Sequence, residues 1–184
     1  MVKHVGESYD HVLFVAGLSK AYSSLAAFLA CPSELKRLLK TAAPPYLYSG
    51  PSPIASLATT LAGLHVNEER GDAIRAGLWR KTATVLECLD RLGAHTPNNS
   101  GFPIIEVPLG HGEDIDAVGR FLFENGIYVT LAAYPLVPRS EVGFRIQITA
   151  ANTDAEIERL TSVIGELAAA GRLRLRSDAA REAA

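Results

Sequence analysis

Residues 11–32, HVLFVAGLSKAYSSLAAFLACP, contain two apolar runs separated by a polar turn. Residues 10–16 predict a buried β-strand, and residues 26–31 predict a second strand short enough to pair with it. Lys20 stands between the two runs. Because partial desolvation beside apolar walls lowers the pKa of an amine, such a lysine is placed for Schiff-base chemistry with an aldehyde. A solvated lysine in a turn is the commoner interpretation of this signal alone.

The composition limits the kind of protein. Of 184 residues, 48% are hydrophobic, which is enough to form a hydrophobic core. The chain has 18 basic and 20 acidic residues, so its formal charge is close to zero. No Lys/Arg block indicates a nucleic-acid or membrane surface, so small polar substrates are the expected partners. Cys31 and Cys88 belong to no metal-ligand pattern and the five histidines are scattered, so no metal site is predicted. The amino terminus has no apolar signal core, and we expect a cytoplasmic protein.

Helical patterns alternate with strand patterns along the rest of the chain. Ser33 is a candidate N-cap, Gly71 a candidate break between two long helices, and Thr153 with Glu156 a candidate capping box. We expect helices over 33–43, 53–70, 74–92, 113–125 and 153–170, and strands over 102–109, 127–131 and 142–149.

Two further segments are informative: PPYLYSGPSP at 44–53 and YPLVPRSEVGFRIQITAANT at 134–153. Together with 11–32, in this order and spacing, they resemble the carboxy-terminal half of the α-oxoamine synthases. These are pyridoxal-phosphate (PLP) enzymes of fold type I, in the class I and II aminotransferase superfamily. The resemblance covers roughly Tyr9 to Gly171.

The resemblance implies an α/β chain with the aspartate-aminotransferase-like fold: part of the large PLP-dependent transferase domain plus a complete small C-terminal domain. Family chains are about twice as long, so we expect a fragment that lacks the aspartate for the pyridine nitrogen and the ring-stacking aromatic residue. The expected parts are the large-domain remnant at 1–52, a helical connection at 53–95, the small α/β domain at 96–171 and a frayed or disordered tail at 172–184.

The resemblance also implies roles for residues near the lysine. Lys20 would hold PLP as a Schiff base and move the substrate α-proton. Gly17 stands where many family members place a phosphate-binding Ser or Thr, which leaves Ser19, Ser23 and Ser24 as substitutes.

The segment with Ser49 and Gly50 reaches the phosphate of the neighbouring subunit in the family, which implies a homodimer. The alternative is a turn that only caps the next helix.

Arg145 lies in the middle of a predicted strand whose alternation places Phe144, Ile146 and Ile148 on the other face. The planar guanidinium suits a carboxylate. By resemblance Arg145 binds the α-carboxylate of an amino-acid substrate. The alternative is an internal salt bridge to Glu106 or Glu141.

The resemblance therefore implies an acyl-CoA:amino-acid C-acyltransferase of the α-oxoamine synthase type, with PLP as cofactor. An aminotransferase using the same lysine and arginine is one alternative. A non-catalytic remnant, or a subunit that only binds a full-length partner, is another.

Overall fold

The computed structural model describes residues 6–182, and the chain divides into two compact units, Met1–Gly71 and Asp72–Ala184. No helix in this described part is both long enough and apolar enough to cross a membrane.

The first unit contains a two-stranded antiparallel ladder. Strand β1, Phe14–Gly17, pairs with β2, Ala27–Ala30, so the predicted pairing of the two apolar runs is confirmed. The prediction of a buried strand over 10–16 is wrong, because β1 starts four residues later and Val15 is 69% exposed. A two-stranded ladder has two open faces, and the first unit covers them only in part.

Two short helices follow the ladder. In α1, Ser33–Ala42, the N-cap is Pro32 and makes no side-chain capping bond, so the prediction that Ser33 caps the helix is wrong and Ser33 is its first residue. Helix α2, Pro44–Leu47, begins at the prolines that end α1. Proline fits the first turn of a helix, where its missing N–H has no intrahelical acceptor.

A single long helix, α3, spans Ile54–Arg91. It continues through Gly71, where the sequence predicts a break or a bend. Glycine inside a helix costs only about 1 kcal/mol relative to alanine. This cost is small enough for the helical segments before and after Gly71 to continue as one helix. The end of α3 agrees with the prediction, since Gly93 adopts a φ of 65° and the Ala94 N–H bonds the Leu89 carbonyl.

The second unit contains a three-stranded antiparallel sheet in the order β3-β5-β4. Its strands are β3, Ile104–Pro108, β4, Thr130–Ala132, and β5, Gly143–Gln147. In the central strand β5, Arg145 is opposite Glu106 of β3 and Thr130 of β4.

Two capped helices complete the core of this unit. Asp114 caps α4, Ile115–Glu124, by accepting from the N–H groups of Asp116 and Ala117. The predicted capping box of α5, Asp154–Ala169, is confirmed, with both the Thr153 and the Glu156 bonds present. One face of the sheet, these helices and the end of α3 share one apolar core, which includes Val85, Leu89, Ile105, Val107, Val118, Leu122, Phe144, Ile146, Leu160, Val163, Ile164 and Leu167.

The segment after Gly171 differs from the predicted frayed tail. Leu173 is buried, the Gly110 N–H bonds the Arg172 carbonyl at 2.7 Å and the His95 N–H bonds the Arg174 carbonyl at 2.8 Å. Helix α6, Arg176–Glu182, follows. The alternation of Arg and Leu over 172–176 is too short to predict a strand, and the segment is attached by the isolated bridges Leu109–Leu173 and Ala94–Leu175.

Candidate functional site

Lys20 lies in the turn that joins β1 to β2. The Leu18 N–H bonds the Ala26 carbonyl at 2.8 Å and the Ser24 N–H bonds the Leu18 carbonyl at 3.1 Å, so the turn closes on itself. The Lys20 side chain is exposed and forms no hydrogen bond or ion pair with the described residues, whereas its backbone carbonyl accepts from the Ser23 N–H at 3.3 Å. The partial burial that the sequence predicts for this amine is therefore not provided by the residues of the first unit.

The serines near Lys20 have different surroundings. Ser19 and Ser23 are exposed, whereas Ser24 is only 1% exposed. The Ser24 hydroxyl donates to the Ser56 carbonyl at 2.7 Å and accepts from the Thr60 hydroxyl at 2.9 Å. Ser24 therefore has a structural role, and the idea that it substitutes as a phosphate ligand does not fit. Ser19 and Ser23 keep accessible hydroxyls.

Ser49 and Gly50 are exposed and precede α3. The Ser49 hydroxyl makes one long contact, 3.5 Å, to the Tyr46 carbonyl. Residues 51–53 separate Gly50 from the first helical residue, Ile54, and two of these are prolines without an N–H. The helix starts one residue after the predicted start at Pro53, so Ser49 and Gly50 lie a few residues before it, as the sequence predicts.

Arg145 is half-buried on the face of the sheet away from the core. The Gln147 amide oxygen, when turned toward it, accepts from Arg145 Nε at 3.1 Å and Nη2 at 2.7 Å. The opposite amide orientation would bring N–H donors together. Within residues 6–182, Arg145 forms no ion pair with a carboxylate.

The carboxylate that the sequence offers as a partner for Arg145 is occupied elsewhere. Glu141 accepts from Arg174 Nη1 at 2.8 Å, and the same nitrogen donates to the Ser140 carbonyl at 2.8 Å. Glu106 is opposite Arg145 in the ladder but does not pair with it. The alternative of an internal salt bridge to Glu106 or Glu141 is therefore wrong.

A cavity of about 510 Å³ lies in the second unit, beside the loop that leads to β5. Tyr134, Arg139 and Arg174 line it, and the Arg139 guanidinium lies 4.3 Å from the centroid of the Tyr134 ring. Glu113 and Asp178 also line it, so the cavity presents both signs of charge. Arg145 does not line this cavity.

The described residues contain no group of three or more His, Cys, Asp or Glu that could hold a metal ion. Cys31 and Cys88 are both free thiols. Burial raises the pKa of the Cys88 thiol, an effect that the nearby Arg91 partly opposes.

The structure brings some of the predicted residues into one unit. Lys20, Ser19, Ser49 and Gly50 belong to the first unit, whereas Arg145 belongs to the second. Three features were not predicted from the sequence: the hydrogen bonds of Ser24 to α3, the contact of Gln147 with Arg145 and the Arg174–Glu141 ion pair. Only the first had a usable signal, because Ser56 and Thr60 are four residues apart and share a helix face.

Comparisons with known proteins agree with this arrangement of motifs. The family model described as "Aminotransferase class I and II" matches residues 4–164. The 8-amino-7-oxononanoate synthase of Stutzerimonas stutzeri is 35% identical over 90% of this chain and 42% of its own length. The 8-amino-7-oxononanoate synthase/2-amino-3-ketobutyrate coenzyme A ligase of Thermus thermophilus is 33% identical over 86% of this chain and 40% of its own.

Solved structures share the fold. The 8-amino-7-oxononanoate synthase of Francisella tularensis superposes with a TM-score of 0.74 at 22% identity, over 90% of this chain and 48% of that one. SPT solved with PLP superposes with a TM-score of 0.77 at 21% identity, over 86% of this chain and 40% of that one. The chain thus spans 42% and 40% of the length of the two curated relatives named above.

Proposed function

This chain belongs to the aminotransferase class I and II family, and we propose on that premise that it is part of a PLP-dependent acyl-CoA:amino-acid C-acyltransferase of the α-oxoamine synthase type. The names of its relatives support the reaction class, since they are 8-amino-7-oxononanoate synthases and one also carries a coenzyme A ligase activity in its name. Amino acids and acyl-CoA thioesters are the proposed substrates.

The observation that carries the proposal is the position of Lys20. Its amine is exposed, no carboxylate of the described residues pairs with it, and a closed turn holds it directly after β1. An exposed amine that no carboxylate occupies is accessible to an aldehyde that arrives from solvent. Lys20 is the proposed residue that bonds the cofactor.

The donors of the first unit fit the aldehyde and phosphate ends of PLP. Lys20 supplies an amine, Ser19 and Ser49 supply exposed hydroxyls, and a Cβ at Gly17 would meet nothing within 4 Å, so the backbone there is open to a ligand. Residues 14–24 and 48–53 contain no carboxylate that could pair with the ring nitrogen.

When bound, PLP supplies an electron sink for charge that develops at the substrate α-carbon. The residues of this chain would bind the cofactor and the substrate and would transfer the proton. Lys20 would hold the aldehyde carbon and move the α-proton, and Ser19 would contact the phosphate. Ser49 and Gly50 reach the phosphate of a neighbouring subunit, so the protein is proposed to be a homodimer. Because both thiols are free, we place it in the cytoplasm.

Arg145 is the proposed ligand of the amino-acid carboxylate. Its guanidinium has no carboxylate partner among the described residues, and a half-buried arginine favours an anionic partner. Gln147 occupies the Nε and Nη2 edge, so the carboxylate is expected either to displace the amide or to bind at Nη1.

An assay of thiol release from an acyl-CoA tests the reaction class. We expect free coenzyme A thiol only when PLP, an amino acid and the thioester are all present. Arg145→Lys keeps the charge but loses the planar fork, so it should raise KM for the amino acid by about 10- to 100-fold. Arg159→Lys is the matched control. Arg159 is exposed and donates to Asn125 at the C-terminal end of α4, so its replacement should leave KM for the amino acid unchanged.

The family description itself favours amino transfer as a second candidate. It predicts pyridoxamine phosphate in a single turnover with an amino donor, without thiol release and without need of a thioester. Such a result would replace the acyltransferase proposal. If the chain accumulates neither product while PLP is bound to Lys20, the non-catalytic alternative is supported.

A further inference from the structure

The turn that carries Lys20 is attached to α3 through Ser24. This side chain is buried, donates to the Ser56 carbonyl at 2.7 Å and accepts from the Thr60 hydroxyl at 2.9 Å. These partners are 32 and 36 residues away in sequence. Ser24 and Thr60 together are called the serine anchor below.

A second contact attaches the same turn to the same helix. A Cβ on Gly63 would lie 2.1 Å from Tyr22 Cδ1 and 2.8 Å from Cε1, so the Tyr22 ring packs directly on the helix backbone. Any side chain at position 63 would push the ring away. Tyr22 and Ser24 therefore attach the turn at two points, two and four residues after Lys20.

The Lys20 side chain contributes nothing to its own placement, because it is exposed and forms no hydrogen bond or ion pair with the described residues. Its position depends on the backbone of the turn. Removal of the Thr60 hydroxyl leaves the buried Ser24 oxygen without its donor, which costs free energy because water cannot readily replace a bond at a buried group.

We propose that Ser24 and Thr60 are positioning residues that hold the Lys20 turn on α3 and so present the amine to the cofactor aldehyde in one orientation. The second half of this statement rests on the proposed function. The first half, that the serine anchor fixes the turn, holds with or without PLP.

Three variants of α3 test the anchor in the full chain. Thr60→Val removes the hydroxyl but keeps the shape, and Thr60→Ser keeps the hydroxyl. Thr59→Val is the matched control, because the Thr59 hydroxyl is exposed and bonds only within its own helix, to the Ala55 carbonyl at 2.8 Å.

The first readout is amide hydrogen exchange of Leu18, Ser24 and Ala26, whose N–H groups bond within the turn. Thr60→Val should exchange about tenfold faster at these amides, as expected for the loss of one part-buried hydrogen bond. Thr60→Ser and Thr59→Val should stay close to wild type. Equal exchange in Thr60→Val and Thr59→Val would overturn the anchor.

The second readout compares two labels on Lys20. Acetylation by a small anhydride needs only an exposed amine and should be the same in all variants. Reductive trapping of PLP needs orientation, and it should fall about fivefold to tenfold in Thr60→Val and recover in Thr60→Ser. Equal trapping in Thr60→Val and wild type, with wild-type Lys20 labelled, would refute the positioning role.

The two proposals fail in different ways. If wild-type Lys20 traps no PLP, the proposed function fails, while hydrogen exchange still decides the anchor. Gly63→Ala gives an independent check, since it should loosen the turn without touching any hydroxyl. Gly77→Ala, on the same helix with nothing within 4 Å of the added Cβ, should not.

Discussion

Gly143 is the first residue of β5, the strand that carries Arg145, and it cannot accept a side chain. A Cβ at this position would lie 2.2 Å from the Val107 carbonyl oxygen and 2.7 Å from Pro108 Cα. Both atoms are backbone of the paired strand β3. Neither can rotate away as the end of a flexible side chain would. Gly143→Ala therefore forces the two strands apart.

The cost follows from that separation. Relieving the contact requires the strands to open by about 1 Å, since non-bonded carbon and oxygen atoms normally stay more than 3 Å apart. Overpacking of this kind costs about 1–3 kcal/mol. The neighbouring bond from the Leu109 N–H to the Val142 carbonyl, 2.9 Å long, weakens at the same time and adds about 1 kcal/mol. We expect a loss of about 2–4 kcal/mol in the free energy of unfolding.

Urea unfolding measures this loss. The single tryptophan, Trp79, packs on Phe102 with 5.9 Å between ring centroids, so its fluorescence reports on the second unit. The urea midpoint of Gly143→Ala should fall by about 1–2 M. Gly77→Ala is the control and should raise the free energy of unfolding by about 0.5–1 kcal/mol, because it adds helix propensity without a contact. If Gly143→Ala unfolds at the same urea midpoint as wild type, the backbone of β3 does not lie as close to Gly143 as described, and the reasoning is refuted.

Three further results are expected. Among the described residues Ser23 is the only non-glycine with a positive φ, 48°, so Ser23→Gly should raise the free energy of unfolding by up to about 1 kcal/mol in urea titrations, and a decrease would contradict the strain. The Thr153 N–H lowers the pKa of Glu156, so Glu156 stabilises the fold above the ordinary glutamate pKa of about 4.3 and this contribution disappears as pH falls through the lowered value. Thermal melts should therefore show Glu156→Gln below wild type at pH 7 and equal to it at the acid end, whereas a difference that does not change with pH would argue against this. Cys31 should react with a disulfide reagent well before Cys88, whose buried thiol has a raised pKa, and Cys31→Ser should remove the fast phase.

Local signals in the sequence predicted local structure well. The capping box of Thr153 and Glu156 and the alternation around Arg145 are confirmed, because each depends on residues only a few positions apart. Gly71 and Ser33 misled for the opposite reason. Whether a glycine ends a helix, or a serine caps one, depends on the surrounding contacts as well as on the residue itself.

Long-range pairings could not be predicted. Nothing near Arg174 in the sequence indicates that it pairs with Glu141, and that pairing removes Glu141 as a partner for Arg145. The burial of Ser24 likewise depends on α3, more than 30 residues away. The family motifs located Lys20, but the bonds that hold its turn required the structure.

The most direct test of the central claim is a peptide map after PLP is added and reduced with borohydride. We expect one pyridoxyl group, on the peptide that contains Lys20, and none on that peptide in Lys20→Ala. Lys36→Ala, which removes an exposed lysine of α1, should label as wild type does. Label spread evenly over Lys20, Lys36 and Lys40 would contradict the claim, because it would show that Lys20 is only one exposed amine among several.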